Sequence, residues 1–151
     1  MPDKKRKPGL GRSLARQRAL QALYQWYVTG RPLESIEPEF TSQDVWETLE
    51  MKQVDLKHFK RLIHETSNLA VELDEKFVDL LDRPINQLDP IELIILRIGA
   101  YEMLYCPNVP WRVAINESVE LARLFGAEQS HKYVNGILDK LAKSMDIQHK
   151  P

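Results

Sequence analysis

The chain has 151 residues, of which 43% are apolar, 28% are charged and one is cysteine. No stretch approaches the roughly 20 consecutive apolar residues of a membrane-spanning helix, and Pro8 and Gly9 follow the basic start where a secretion signal would have an apolar run. A lone cysteine cannot form an internal disulfide, which fits a reducing compartment. From these three observations together we expect a cytoplasmic protein that does not cross a membrane.

Charge is distributed unevenly along the chain. Residues 1–33 contain eight lysines and arginines and one acid, so the other residues must carry a net charge of −8 to give the total of −1. Clustered cations gain free energy when they displace counterions from a polyphosphate. Nucleic acid is therefore the first candidate partner; the alternative is a solvated helix face with a tail that only aids solubility.

The first predicted elements are a tail and a helix. Residues 1–11 hold almost nothing apolar and are expected to form a mobile basic tail. A helix is predicted from Ser13, as the N-cap, to Gly30, as the stop. Its apolar residues recur at helical spacing and predict a broad buried face that includes Tyr24 and Tyr27.

The middle of the chain gives weaker signals. Between residues 33 and 53, Pro38 predicts an interruption, with one or two short helical pieces. Asp55 is a cap for a helical pattern that reaches Leu81 as one long helix or two, with a break near Ser67.

Local signals are strongest in the last third. Asp89-Pro90-Ile91-Glu92 combines a cap, a proline at the first helical position and a capping-box glutamate, so a helix starts there and stops by Cys106. Pro110 opens another helix that ends at Gly126, and a final helix runs from about Ser130. The sequence thus predicts an all-α bundle of about seven helices in one compact domain, residues 12–143, between the basic tail and a C-terminal tail, residues 144–151.

Catalytic and metal-binding signatures are missing from the sequence. The four histidines lack metal-ligand spacing, and no glycine-rich phosphate loop or nucleophile elbow is present. We therefore expect a non-enzymatic protein without a metal or cofactor.

Two segments have the chemistry of an RNA interface. Arg12 and Arg16 lie one helical turn apart, and Arg18 is displaced around the axis. In residues 125–136, aromatic rings, Lys132 and a helix N-terminus can together stack a base and hold a phosphate, although core packing is the alternative for both rings. Gly136 inside the last helix predicts close backbone packing against a neighbour.

Four ordered motifs carry a resemblance to the NusB family of bacterial transcription antitermination factors. They are Gln21-Ala22-Leu23-Tyr24-Gln25-Trp26, Leu96-Arg97-Ile98-Gly99-Ala100-Tyr101-Glu102, Val109-Pro110-Trp111-Arg112-Val113-Ala114-Ile115-Asn116-Glu117, and Phe125-Gly126-Ala127-Glu128 with His131-Lys132-Tyr133-Val134-Asn135-Gly136-Ile137-Leu138-Asp139-Lys140. The resemblance implies an all-helical fold of two packed small bundles and binding of the boxA element of ribosomal RNA operon transcripts. It also implies a heterodimer with NusE, a small-subunit ribosomal protein, that works in the RNA polymerase antitermination complex. A basic helix face and aromatic platforms favour single-stranded RNA over a duplex, because unstacked bases expose their ring faces and edges.

The resemblance also assigns individual residues. It places RNA contacts at Arg12 and Arg16, to which the charge pattern adds Arg18, and in a second segment at Phe125, Gln129, Ser130, Lys132 and Tyr133. It places the NusE-facing surface at Tyr24 and at Glu92, whose capping-box position predicts a carboxylate near the surface. Homodimerisation of the free chain stays open. The alternatives are an RNA-recruiting module of an RNA methyltransferase system and a helical interaction bundle without RNA binding.

Overall fold

The computed structural model describes residues 9–147, and this part of the chain contains nine α-helices and no strand. The helices are α1 (Leu10–Thr29), α2 (Leu33–Thr41), α3 (Gln43–Trp46), α4 (Leu49–Lys52), α5 (Leu56–Asn68), α6 (Ala70–Phe77), α7 (Pro90–Tyr105), α8 (Trp111–Phe125) and α9 (Ser130–Ser144). Two 3₁₀ turns, Val78–Leu80 and Ile85–Gln87, lie between α6 and α7. None of these helices has the length and apolar character needed to cross a bilayer.

The all-α prediction is confirmed, but the expected number of about seven helices is wrong. The segment from residue 33 to residue 53 forms three short helices, not one or two, because Ser42 and Thr48 each have an extended backbone that starts a new helix. Pro38 does not interrupt α2, which continues for three more residues before it ends at Thr41. A proline removes only one backbone donor, and this loss falls close to the end of the helix.

The chain divides into two compact units, Met1–His64 and Glu65–Pro151. The predicted packing of two bundles into one domain, with boundaries at residues 12 and 143, stays a prediction. In the first unit, α1 packs on α2, and the rings of Phe40 and Phe59 lie 5.8 Å apart between centroids. Leu20, Leu23 and Leu62 are fully buried in this unit.

Helix α1 begins three residues before the predicted Ser13. Its N-cap is Gly9, with φ of 80°, a left-handed conformation that glycine adopts without strain. Leu10 and Gly11 of the predicted tail are therefore helical, and residues 1–8 lie outside the described part of the chain. The predicted stop at Gly30 is confirmed.

The second unit is built around α7. Every residue of α7 from Glu92 to Glu102 is buried, because α6, α8 and α9 all pack against this helix. The predicted start is confirmed, since the Asp89 carboxylate accepts a hydrogen bond from the backbone N–H of Ile91 at 2.7 Å and Pro90 is the first helical residue. The predicted end of α8 at Gly126 and the predicted start of α9 at Ser130 are confirmed as well.

An ion pair ties α6 to α7 inside this unit. The guanidinium of Arg97 donates to both carboxylate oxygens of Asp74, from Nε at 2.9 Å and from Nη2 at 2.8 Å. The Arg97 side chain is 8% exposed and that of Asp74 is 22% exposed. This two-point contact restrains the register of the two helices, because the planar guanidinium donates to both carboxylate oxygens only when the two groups are nearly coplanar.

The prediction of close backbone packing at Gly136 is wrong. A Cβ atom at Gly136 would meet nothing within 4 Å, whereas a Cβ at Gly99 would lie 2.6 Å from Ser118 Oγ and 2.7 Å from a methyl carbon of Leu138. Gly99 is therefore the position where α8 and α9 approach α7 too closely for a side chain. The sequence pattern does not distinguish the two glycines, since both occupy helix interiors.

Replacement of Gly136 by alanine is expected to stabilise the protein by about 0.5–1 kcal/mol, because alanine loses less backbone entropy in a helix and has room there. Urea unfolding followed by circular dichroism measures the change. Gly99→Ala is the matched control and should destabilise, since its methyl overlaps two neighbours. Equal effects at the two positions would contradict this account of the packing.

Candidate nucleic-acid interface

Arg12 lies in the first turn of α1, beside an open groove of about 400 Å³ that is also lined by Gly9, Gly11, Val54 and Asp55. The Arg12 side chain is 38% exposed, and its Nε is 3.8 Å from Asp55 Oδ2. Such a long and exposed ion pair contributes at most about 1 kcal/mol. The Arg12 guanidinium is thus able to exchange this carboxylate for a phosphate.

The other two predicted arginines are placed differently. Arg16 is 3% exposed, so its side chain is not open to a phosphate as that of Arg12 is. Arg18 forms an ion pair with Glu50 and donates to Gln21 Oε1 at 3.0 Å. Partial burial lowers the pKa of Arg18 from its ordinary value. Arg12 is therefore the best placed of the three for a phosphate contact.

The predicted partner residue Tyr24 lies on an exposed face near the end of α1. Tyr24, Tyr27 and Val28 are 36%, 42% and 51% exposed. They lie on one side of the helix because residues three and four apart are neighbours on its surface. The expectation that both tyrosines belong to the buried face is therefore wrong, and the core on this helix is formed by smaller alanine and leucine side chains.

The expectation of a carboxylate near the surface at Glu92 is also wrong. Glu92 is 8% exposed, and its Oε2 accepts a hydrogen bond from the hydroxyl of Ser130 at 2.7 Å. Ser130 is itself 3% exposed and is the first residue of α9. The Glu92 carboxyl group therefore lies at the N-terminal end of α9, the positive end of the helix dipole. The contact spans 38 residues of sequence, and neither the capping-box pattern nor the resemblance indicates it.

The second predicted RNA segment joins α8 to α9 in the second unit. Gln129 and Lys132 are exposed, and the Phe125 and Tyr133 rings are each half-buried. Ser130 is buried and its hydroxyl donates to Glu92, so this hydroxyl is not exposed for the predicted RNA contact. Gly126 is required in this turn, because a Cβ there would lie 2.8 Å from both the Ala122 carbonyl oxygen and Ser130 Cβ. Within this unit, the structure thus brings one cation and two partly open rings to the start of a helix of 15 residues.

Two residues that sequence reasoning missed lie beside this segment. The Arg83 guanidinium donates from Nε to Asp82 Oδ1 at 2.8 Å and from Nη2 to Asp82 Oδ2 at 3.2 Å. Its Cζ lies 4.8 Å from the centroid of the Tyr133 ring, and the Tyr133 hydroxyl donates to Asp82 Oδ1 at 3.1 Å. In the sequence, Asp82 and Arg83 are visible only as two neighbouring residues of opposite charge. No local pattern predicts their contact with Tyr133, which is 51 residues after Asp82.

These contacts shift the titration of all three groups. The hydrogen bond from Arg83 is the main reason that the pKa of Asp82 is below its usual value. The hydrogen bond to Asp82 raises the pKa of Arg83. Burial, and then the hydrogen bond to Asp82, raise the pKa of the Tyr133 phenol. At neutral pH the cluster therefore holds one carboxylate, one guanidinium and one neutral phenol.

The described residues contain no group of three or more histidine, cysteine, aspartate or glutamate side chains that could hold a metal ion. The two segments share one feature, a basic side chain in the first turn of a long helix. These side chains are Arg12 on α1, which has 20 residues, and Lys132 on α9, which has 15. Neither first turn contains an acidic residue. Both helix N-termini present backbone N–H groups and a positive dipole end, which suit an anion.

Comparisons with known proteins identify the family of the chain. The model of the NusB family matches residues 13–143. The chain is 48% identical over 134 residues to the transcription antitermination protein NusB of Nitrosococcus oceani, which covers 89% of this chain and 86% of that protein. T. maritima NusB superposes with a TM-score of 0.73 at 27% identity, over 91% of this chain and 97% of that chain.

A crystal structure of the antitermination factors NusB and NusE in complex with dsRNA also has a similar fold, with a TM-score of 0.75 at 22% identity over 88% of this chain and 96% of that chain. At that identity the likeness concerns the fold alone. The family model covers most of the chain, and the Nitrosococcus protein is a close relative over nearly its whole length. The chain belongs to the NusB family.

Proposed function

We propose that this chain is a non-enzymatic transcription antitermination factor that binds single-stranded boxA-like RNA from ribosomal RNA operons. Family membership and the name of the Nitrosococcus relative support antitermination. The observation that carries RNA binding is the pair of cation-bearing helix N-termini, at Arg12 and at Lys132. A transcript-binding factor works where bacterial RNA is made, so we assign this chain to the cytoplasm.

The form of the RNA follows from the side chains. A half-buried ring such as that of Phe125 offers one face and an edge, which an unstacked base can cover. Bases in a duplex are already stacked, and the deep major groove of an RNA duplex does not admit side chains. We therefore assign single-stranded RNA as the ligand, although the solved relative with NusE is described with dsRNA.

The partner in this proposal is NusE, and the resulting heterodimer joins the RNA polymerase antitermination complex. The exposed face formed by Tyr24, Tyr27 and Val28 supports a protein contact on α1, because exposed aromatic residues are enriched at interfaces. Glu92 is buried and does not contribute its carboxylate to such a surface. Sedimentation of the free chain decides whether it forms a homodimer before NusE binds.

Replacement of Arg12 by alanine is expected to weaken binding of a single-stranded boxA-like RNA about tenfold, because a charge-assisted hydrogen bond to phosphate is lost. The slope of log affinity against log salt should become shallower by about 0.7, the value for one phosphate contact on a single strand. Fluorescence anisotropy at several salt concentrations measures both quantities, and a duplex of the same sequence tests the form of the RNA.

Arg31→Ala is the matched control for this experiment. Arg31 also makes an exposed ion pair, with Glu39 at 2.7 Å, and its side chain is 40% exposed. It follows Gly30, at the opposite end of α1. The two variants change the net charge equally, so equal losses would show that only overall charge matters. Unchanged binding by Arg12→Ala would remove α1 from the interface.

A further inference from the structure

The cluster of Asp82, Arg83 and Tyr133 contains a cation that the residues assigned above do not include. Arg83 lies in the loop between the two 3₁₀ turns, and its side chain is 41% exposed. Tyr133 is one residue after Lys132, so this guanidinium lies beside the second RNA segment of the same unit. We propose that Arg83 is a further RNA-binding residue, oriented by the Tyr133 ring and restrained by Asp82, which a phosphate of the RNA displaces. This inference rests on the proposed function.

The first step of the argument is that the present partner of Arg83 is easy to exchange. Asp82 is the adjacent residue and its side chain is 64% exposed. An exposed pair of this kind contributes little to stability, since water screens both charges. A phosphate offers the same geometry of two parallel oxygen acceptors to the Nε and Nη2 donors of an arginine. The exchange therefore replaces one two-point contact by another.

The second step concerns orientation. The Tyr133 ring lies against the guanidinium at 4.8 Å, a distance at which a cation is attracted to an aromatic face. This contact does not involve Asp82, so it persists while the oxygen partner changes. The outer side of the guanidinium remains exposed, and a planar guanidinium is also a surface on which an RNA base stacks. Tyr133 thus acts on the RNA through Arg83 as well as through its own ring.

The third step concerns the carboxylate. Asp82 accepts hydrogen bonds from both Arg83 and Tyr133, and it is charged at neutral pH. A charged carboxylate next to a phosphate repels it, and it also competes for the same arginine. Asp82 should therefore weaken RNA binding in the native chain. This effect has the opposite sign from the one expected of a residue that merely holds the loop in place.

The test compares Arg83→Ala and Asp82→Asn in anisotropy titrations with the single-stranded boxA-like RNA. Arg83→Ala should lose about tenfold in affinity, with a salt slope shallower by about 0.7. Asp82→Asn should gain roughly threefold, because the competing charge is gone while the amide oxygen still accepts from Tyr133. Arg83→Lys keeps the charge but loses the planar fork, and it should recover only part of the loss.

The matched controls are Lys143→Ala and Asp139→Asn. These residues form an exposed ion pair at 3.2 Å near the end of α9, and Lys143 is ten residues after Tyr133, roughly 15 Å along the helix. They change the net charge in the same way as the test variants and should leave affinity within about twofold, since salt screens distant charges.

Each outcome decides the inference. A loss of thermal stability in Arg83→Ala without a loss of RNA affinity would make the cluster a structural contact only. An Asp82→Asn variant that binds RNA no better than the parent would contradict the proposal that Asp82 competes with a phosphate for Arg83. If Arg12→Ala weakens binding while both Arg83 variants bind normally, the inference fails and the proposed function stands. If no arginine variant affects binding, the proposed function fails first.

Discussion

Replacement of Asp74 by alanine is expected to destabilise the second unit by about 3–5 kcal/mol, because it removes the two carboxylate oxygens to which the Arg97 guanidinium donates inside the protein. Arg97 is 7% exposed, so in the native structure little water reaches its guanidinium. Urea unfolding followed by far-ultraviolet circular dichroism measures the loss.

Two further variants separate the ion pair from packing. Asp74→Asn keeps an oxygen acceptor and should lose less than Asp74→Ala. The double variant Asp74→Leu, Arg97→Met removes both charges and should recover much of the stability, since apolar residues of similar volume often replace a buried pair without loss. A loss below about 1 kcal/mol in Asp74→Ala would show that Arg97 does not depend on Asp74.

Replacement of Glu92 by lysine is the second large effect, with an expected loss of about 3 kcal/mol of stability. The change buries an ammonium group, removes the acceptor of the Ser130 hydroxyl and places a positive charge at the N-termini of α7 and α9, where the helix dipoles oppose it. Glu92→Gln keeps an acceptor for Ser130 and should lose only about 1 kcal/mol. Thermal unfolding compares the two variants.

The same variants test the partner surface. Calorimetric titration with NusE, corrected for the folded fraction, should give similar affinities for the parent and Glu92→Gln, because the buried carboxylate does not reach a partner. A Glu92→Lys variant that is as stable as the parent but does not bind NusE would contradict the burial argument and place Glu92 in the interface.

The last three helices could be predicted from sequence because their limits depend on neighbouring residues. Asp89 reaches a backbone N–H two residues away, and the N–H of Gly126 donates to the Ala122 carbonyl within the last turn of α8. The segment from residue 33 to residue 53 has one comparable signal, the Thr48 hydroxyl, which accepts a hydrogen bond from the backbone N–H of Met51 at 3.3 Å. Two of its three short helices form where an apolar residue reaches the core of the first unit, Ile36 in α2 and Met51 in α4, whereas α3 buries no residue.

The candidate site was only partly predictable for the same reason. Arg12 and Lys132 are basic residue types, so a cluster of such residues is visible in the sequence. Burial is not visible in the sequence, since it depends on tertiary packing. Arg16 and Glu92 are both buried in the folded chain, and the hydroxyl that donates to Glu92 belongs to a residue 38 positions away. The Arg83–Tyr133 contact is likewise a product of the fold.

The burial of α7 along its length has a consequence for how this family can diverge. From Glu92 to Glu102 no side chain faces solvent, so nearly every substitution in this helix must be matched by a change in α6, α8 or α9. The outward faces of α1 and α9, which hold Arg12 and Lys132, carry no such restriction. The proposed RNA contacts can therefore change one surface residue at a time, while the internal scaffold changes only by coordinated replacement.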